Sequence, residues 1–214
     1  LAPLIPTKKS NFILCDVGAN ANSKPQHLLQ FALMAAAYME HLEGRKKPKI
    51  ALLNIGKEKN KGNDLTTSTY PLLEKHLENF IGNIESRYLL ENDADVVICD
   101  GFTGNIVLKL TEGVIAHLLN WIQEIYHTHT NDANLSSEFL SILKEIQNSL
   151  DPEEYGASPL LGINGIVMKC HGSSTARGIK NSLISAETAV KENLIINISK
   201  SLKKHSFFSN DVMM

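Results

Sequence analysis

Phe12-Ile-Leu-Cys-Asp16, then Val17-Gly-Ala-Asn-Ala-Asn-Ser23, then the run from Pro25 to Glu43, is the stretch that decides the fold. A short apolar run ends on an acid, and a Gly/Asn/Ser loop follows. Leu28, Ala32, Ala35, Met39 and Leu42 then recur at helical spacing. Pro25 suits a first helical turn, where its missing N–H has no partner to lose. Ser23 suits the cap and Gly44 the exit. The stretch predicts strand, loop and helix in that order.

The same unit recurs outward from it. Ile50-Ala-Leu-Leu-Asn-Ile55 precedes the loop Gly56-Lys-Glu-Lys-Asn-Lys-Gly-Asn63 and a helical run to about Glu78. Pro71 either opens a helix starting near Thr69 or kinks a longer one. Val96-Val-Ile-Cys-Asp100 precedes the loop Gly101-Phe-Thr-Gly-Asn105 and a helix from about Asn105 to Tyr126. Ile163 to Cys170 predicts a fourth strand, with His171-Gly-Ser-Ser174 and a long helix towards Lys200 behind it. A further short strand is expected at Asn79 to Ile84. Strands that alternate with helices predict an α/β domain over residues 1–214, its mainly parallel sheet covered on both faces.

A helical hairpin over residues 105–150 is inserted between the third and fourth units. Val107, Leu110, Val114, Leu118, Trp121 and Ile125 form one stripe; Leu135, Phe139, Leu143, Ile146 and Leu150 form the other. Two such stripes are expected to pack on each other or on a partner subunit.

Composition narrows the classes. Of 214 residues, 43% are hydrophobic and 21% charged, which excludes a disordered chain. A formal net charge of -2 leaves no basic field to drive generic nucleic-acid binding. The longest apolar stretch, Leu28 to Met39, is interrupted by Gln30 and is too short to span a bilayer. No basic segment precedes an apolar block at the start, so no signal peptide is expected. Cys15, Cys99 and Cys170 are widely spaced and odd in number, which predicts a reducing cytoplasm and small buried thiols. Residue 1 is Leu, which suggests a processed, cut or partial chain.

Ligands of open α/β sheets bind outside the carboxyl ends of the strands. Four Gly/Asn/Ser loops are expected there, each before a helix N-terminus that favours an anion. Gly18, Asn20, Gly62, Asn63, Gly101, Gly104, His171 and Ser173 are the resulting phosphate- or carboxylate-binding candidates. Good turn residues at βα junctions explain any one of these loops equally well. Lys61, directly before a helix, either neutralises a phosphate or belongs to a solvated charged loop. Asn105 either caps its helix or aims its amide at a developing oxyanion. Asp16 and Asp100 end their strands and can orient loops or a lysine. Ser173 or Ser174 is the expected helix cap rather than a nucleophile, because G-x-S-x-G is absent. G-x-x-x-x-G-K-[ST] and G-x-G-x-x-G are absent as well, so neither a P-loop nor a dinucleotide cofactor is supported. His127 and His129 flank a Thr in a polar turn, and no metal site is assigned to them.

At these loops the chain resembles a known family. CDVGANANSKPQHLLQFALM, LLNIGKEKNKGNDLT, NFIGNIESR, ADVVICDGFTGNIVLKLTEG and YGASPLLGINGIVMKCHGSS are similar, in order, to the bacterial phosphate acyltransferases of phospholipid synthesis. The resemblance implies transfer of a fatty acyl group from acyl carrier protein to inorganic phosphate. The acyl phosphate formed would serve a glycerol-3-phosphate acyltransferase. It also implies a three-layer α/β/α fold similar to isopropylmalate dehydrogenase, a homodimer, no cofactor, and a cytoplasmic enzyme in loose contact with the membrane. By the family's K-G-N-E-L-T and D-G-F-x-G-N motifs, Lys61 and Asn105 are the implied catalytic residues. A phosphotransacetylase-like enzyme using acyl coenzyme A is the alternative enzyme reading. A shortened remnant that dimerises or binds acyl carrier protein is the non-enzymatic one.

The departures are specific. The family's D-A-M-G-G-D and S-A-G-N-T-G-A motifs precede this point and do not occur here, so the chain is expected to be the C-terminal part of a longer enzyme. Asp64 stands where the motif has Glu, Pro71 lies within a helix, and Ala157-Ser158 replaces Gly-Ala. Lys200, Lys203 and Lys204, near Leu194, Ile195 and Ile198, either touch anionic lipid or end a solvated helix.

Overall fold

Alternation along the strands builds the sheet. β1 (Leu4–Ile5), β2 (Phe12–Cys15), β3 (Ile50–Asn54), β4 (Phe80–Glu85) and β5 (Val96–Ile98) lie in the order β1-β2-β5-β3-β4. β2, β5, β3 and β4 run parallel, and β1 is antiparallel at the edge. The computed structural model describes residues 1–8, 10–91, 93–129, 133–150 and 157–205.

Period-two alternation sends Ile13, Cys15, Ile50, Leu52, Val96 and Ile98 to one face. Phe12, Leu14, Ala51, Leu53 and Val97 go to the other. All are buried, as a parallel sheet covered on both sides requires. The first face is covered by α1 (Pro25–His41), α2 (Asp64–His76) and α6 (Leu194–Lys204), with Leu73, Leu194 and Ile198 in that core. The second is covered by Leu89 and by Val107 and Leu108 of α3 (Gly101–His129). The result is the three-layer α/β/α arrangement.

α1 forms as its spacing predicts: Leu28, Ala32, Ala35 and Met39 are fully buried. Its cap differs from the expectation. Lys24 occupies the cap position, His27 Nδ1 accepts its backbone N–H at 3.2 Å, and Ser23 Oγ has no hydrogen-bond partner. Pro71 sits inside α2, which runs on through it.

Three expectations are corrected. Gly101 to Asn105 is not a loop but the first turns of α3, because Asp100 already caps the helix: its carboxylate accepts from Thr103 N–H at 2.9 Å and Thr103 Oγ1 at 2.7 Å. Ile163 to Cys170 is not a strand of the main sheet. Gly162, at φ +88°, precedes the run and Gly165 interrupts it, and the chain turns back so that β6 (Ser158–Pro159) pairs with β7 (Met168–Lys169) in a separate antiparallel hairpin. The long terminal helix is two helices, α5 (Ala176–Lys191) and α6, broken where Asn193 turns left-handed at φ 52°.

α4 (Ala133–Ser149) returns beside α3, with the Tyr126 and Phe139 rings stacked at 3.9 Å between centroids. Leu143 is buried, but Leu110, Val114, Leu118 and Trp121 remain about half exposed. The stripe on α3 thus stays open rather than closing against α4. These side chains line a cavity of about 310 Å³ together with Lys109, Gly113 and His117.

Candidate active site

The junctions after β2 and β5 are built on one carboxylate. Asp16 is fully buried and accepts from Ala19 N–H at 3.1 Å and from Asn20 through its N–H at 2.6 Å and Nδ2 at 3.2 Å. Asp16 thereby folds the Gly/Asn loop tightly over the end of β2. Asn20 O in turn accepts the Gly101 N–H at 2.9 Å, which ties this loop to the start of α3.

The glycines of α3 are where the helix meets that loop. A Cβ on Gly101 would lie 2.6 Å from Asn20 O and from Asp16 Oδ2. A Cβ on Gly104 would overlap the Asp16 carbonyl oxygen and come within 2.9 Å of Cys99 Sγ. Gly18, at φ +122°, faces the Asn105 side chain, whose Cβ, Cγ and Oδ1 stand 3.6 Å from where its own Cβ would be. Gly18, Asn20, Gly101, Gly104 and Asn105 therefore form one cluster. Asp100 takes the capping role and Asn105 lies a turn further in, so capping is not what its amide does.

The junction after β3 is organised by Asn54, which the motif reading overlooks. Its Nδ2 donates to Lys61 O at 2.9 Å, and its Oδ1 accepts the Ile55 N–H at 2.8 Å. The signal was present: Asn54 is a polar residue ending an otherwise apolar strand. Gly62, at φ +106°, has no room for a side chain beside Thr66 Oγ1 and Asn54 Oδ1. Asn63 caps α2 by accepting the Thr66 N–H at 3.0 Å. Lys61 is exposed, its stem lying over Gly56. β3 and β5 are paired in parallel, so the loop carrying Lys61 and the helix carrying Asn105 leave the same sheet edge from strands roughly 5 Å apart.

His171 and Ser173 stand elsewhere in the topology. They follow β7 of the separate hairpin rather than a strand of the parallel sheet, so this loop is not the fourth at that edge. Both are exposed, His171 Nδ1 lies 2.6 Å from Ser173 Oγ, and Thr175, neither serine, is the cap of α5.

Two of the three thiols, Cys15 and Cys99, are buried as expected and unsuited to nucleophilic attack, whereas Cys170 is only half-buried. Burial pushes Cys15 up to about 12 and Cys99 well above the ordinary thiol value, so both stay protonated. Among the described residues, no group of three or more His, Cys, Asp and Glu is placed to hold a metal. The side chains of His127 and His129 lie outside the described residues. Leu194 and Ile198 are buried, so the apolar side of α6 belongs to the core. Among the described residues no helix is long and apolar enough to cross a membrane.

The parallel sheet and its Gly/Asn-rich edge define an α/β protein with three covered layers. The family model described as "Fatty acid synthesis protein" matches residues 1–197, and the chain belongs to that family. It is 42% identical over 204 residues to the phosphate acyltransferase of Clostridium acetobutylicum, covering 95% of this chain and 62% of that one. It is 45% identical over 206 residues to that of Desulfitobacterium hafniense, covering 95% and 61%. Against that of Clostridium perfringens it is 43% identical over 210 residues, covering 97% and 61%. The chain thus spans about three fifths of the length of the curated relatives it matches.

Proposed function

We propose that the protein is a phosphate acyltransferase, or the larger C-terminal part of one, moving a fatty acyl group from acyl carrier protein to inorganic phosphate. The observation that carries this reading is the pair of adjacent junctions that present Lys61 and Asn105 from the directly paired β3 and β5. The names of the relatives support the same chemistry.

Phosphate is the nucleophile, so no covalent Ser or Cys is needed, in keeping with two protonated, buried thiols. A phosphate oxygen attacks the thioester carbonyl, the new C–O bond forms, the C–S bond breaks, and the thiolate takes a proton from solvent. Lys61 neutralises the dianion beside the loop N–H groups. Asn105 donates to the carbonyl oxygen as its charge develops. Gly18, Asn20, Gly62, Gly101 and Gly104 let the backbone come close, and Asn63 positions the loop by capping α2. Positioning and preorganised donors supply the rate.

The test is acyl-phosphate formation by the purified protein, expected with the carrier-protein thioester and dependent on phosphate. Faster turnover with the coenzyme A thioester would reassign the substrate, and none with either would leave only a binding role.

The homodimer is part of this proposal, with the half-exposed stripe of α3 as the surface a second copy would cover. Analytical ultracentrifugation is expected to give a dimer that Leu118→Asp dissociates; a monomer at every concentration contradicts it. We place the enzyme in the cytoplasm with peripheral membrane contact, its product passing to a glycerol-3-phosphate acyltransferase.

A further inference from the structure

The loops that follow β3 and β4 meet at the same sheet edge as Lys61. Asn83 Nδ2, within β4, donates to Glu58 O at 2.8 Å and ties the loop after β3 to that strand. Lys57 Nζ lies 4.9 Å from the centroid of the Tyr88 ring, and Arg87 Cζ lies 5.2 Å from the same centroid. Two cations therefore share one aromatic ring. Lys59, in the same loop, pairs with Glu74, but Lys57 and Arg87 form no ion pair among the described residues. Of the acids nearest in sequence, Glu58 turns its carboxylate over Gly56 beside the Lys61 stem, and Glu85 ends β4 two residues before Arg87.

Apolar side chains frame this pair. Ile55 is 78% exposed, the most exposed large apolar side chain among the described residues, and Leu90 is 42% exposed. An isolated exposed apolar residue needs no explanation. Here one immediately follows β3 and the other sits two residues beyond Tyr88, beside an Arg and a Tyr. Those two residue types dominate binding hot spots.

We propose that Lys57, Arg87 and Tyr88, with Ile55 and Leu90, form the docking surface for an acidic protein that delivers the acyl thioester. The identity of the cargo rests on the reading above; the charge of the partner rests on this surface. Carboxylates of the partner would meet Lys57 and Arg87 while an apolar side chain between them packs on Ile55 and Leu90. Complementary charge at Lys57 and Arg87 would raise the rate of encounter with an acidic partner and fix its register. A membrane is the poorer occupant. Lipid-binding segments carry about four to eight clustered cations, each worth roughly 1 kcal/mol, and this surface offers two unpaired ones.

The experiment titrates fluorescently labelled acyl carrier protein with the 214-residue chain and with the double reversal Lys57→Glu/Arg87→Glu. A second double reversal on exposed α6 positions, Lys200→Glu/Lys203→Glu, makes the same change in net charge elsewhere. The rim variant is expected to bind about tenfold or more weakly, the α6 variant like the parent, with parent affinity falling as salt rises. Tyr88→Ala is expected to weaken binding several-fold without any change in charge. Equal binding by parent and rim variant, or no binding by either, overturns the proposal. So does a rim variant that loses only its binding to phosphatidylglycerol vesicles.

Turnover separates this from the assigned reaction. Acyl-pantetheine, which has no protein to dock, is expected to be used equally by parent and rim variant, while KM for the carrier thioester rises. Loss of carrier binding with no acyl phosphate from either thioester would sustain the docking surface and remove the enzyme reading. Unchanged use of both thioesters by the rim variant would do the reverse.

Discussion

Lys61→Ala and Asn105→Ala are each expected to lower acyl-phosphate formation by about a hundredfold or more, with the fold intact by circular dichroism. Removing a single preorganised donor from a developing oxyanion costs on the order of 100- to 1000-fold in rate. The two losses should differ in kind. In the proposed reaction Lys61 neutralises the nucleophile, so its loss should raise KM for phosphate and weaken phosphate binding by calorimetry. Asn105 is proposed to donate to the carbonyl, so its loss should fall on kcat and leave phosphate binding near the parent value. Neither side chain is needed for folding: Lys61 is exposed and Asn105 is not the cap of its helix. Parent rates in both variants would remove these residues from the site.

The second large effect is on stability. Gly104→Ala should destabilise the protein by about 3 kcal/mol, because the added methyl meets backbone that cannot swing aside. The obstruction is the Asp16 carbonyl oxygen, and Asp16 is fixed by its buried carboxylate and the loop bonds it accepts. Gly113→Ala in the same helix should do the opposite. A Cβ there meets nothing within 4 Å, so the higher helix propensity of Ala should add about 0.5–1 kcal/mol. Urea unfolding of the two variants checks both signs. If Gly104→Ala matched Gly113→Ala, α3 would not be pressed against the loop after β2, and the cluster around Asn105 would lose its basis.

The parallel sheet was legible because Phe12–Cys15, Ile50–Asn54 and Val96–Ile98 are short apolar runs, each ended by a polar residue and a glycine loop. The fourth unit is harder to read: Ile166-Val-Met168 is a short apolar run like the others, and Gly162, Asn164 and Gly165 just ahead of it are what mark a hairpin instead of a sheet strand. Gly101 and Gly104 suggested a loop, since glycine is a poor helix former. They are helical because the loop after β2 passes too close for any side chain, a tertiary contact that local propensity cannot carry. Asn54 went unnoticed for a similar reason: its amide matters through the Lys61 carbonyl seven residues on. The break at Asn193 was readable in principle, because Asn tolerates the left-handed conformation better than most residues. The stripe on α3 was visible in its spacing, but spacing does not say that α4 leaves it open.

The edge shared by β2, β5 and β3 is proposed to hold one phosphate site bounded by Lys61 and Asn105. A crystal structure of the protein grown with phosphate decides this. The predicted result is an anion within hydrogen-bond reach of Lys61 Nζ and of the loop N–H groups, with the Asn105 amide turned into the same pocket. Phosphate bound away from this edge, with Lys61 and Asn105 opening onto separate surfaces in one protomer and in its partner alike, would contradict it.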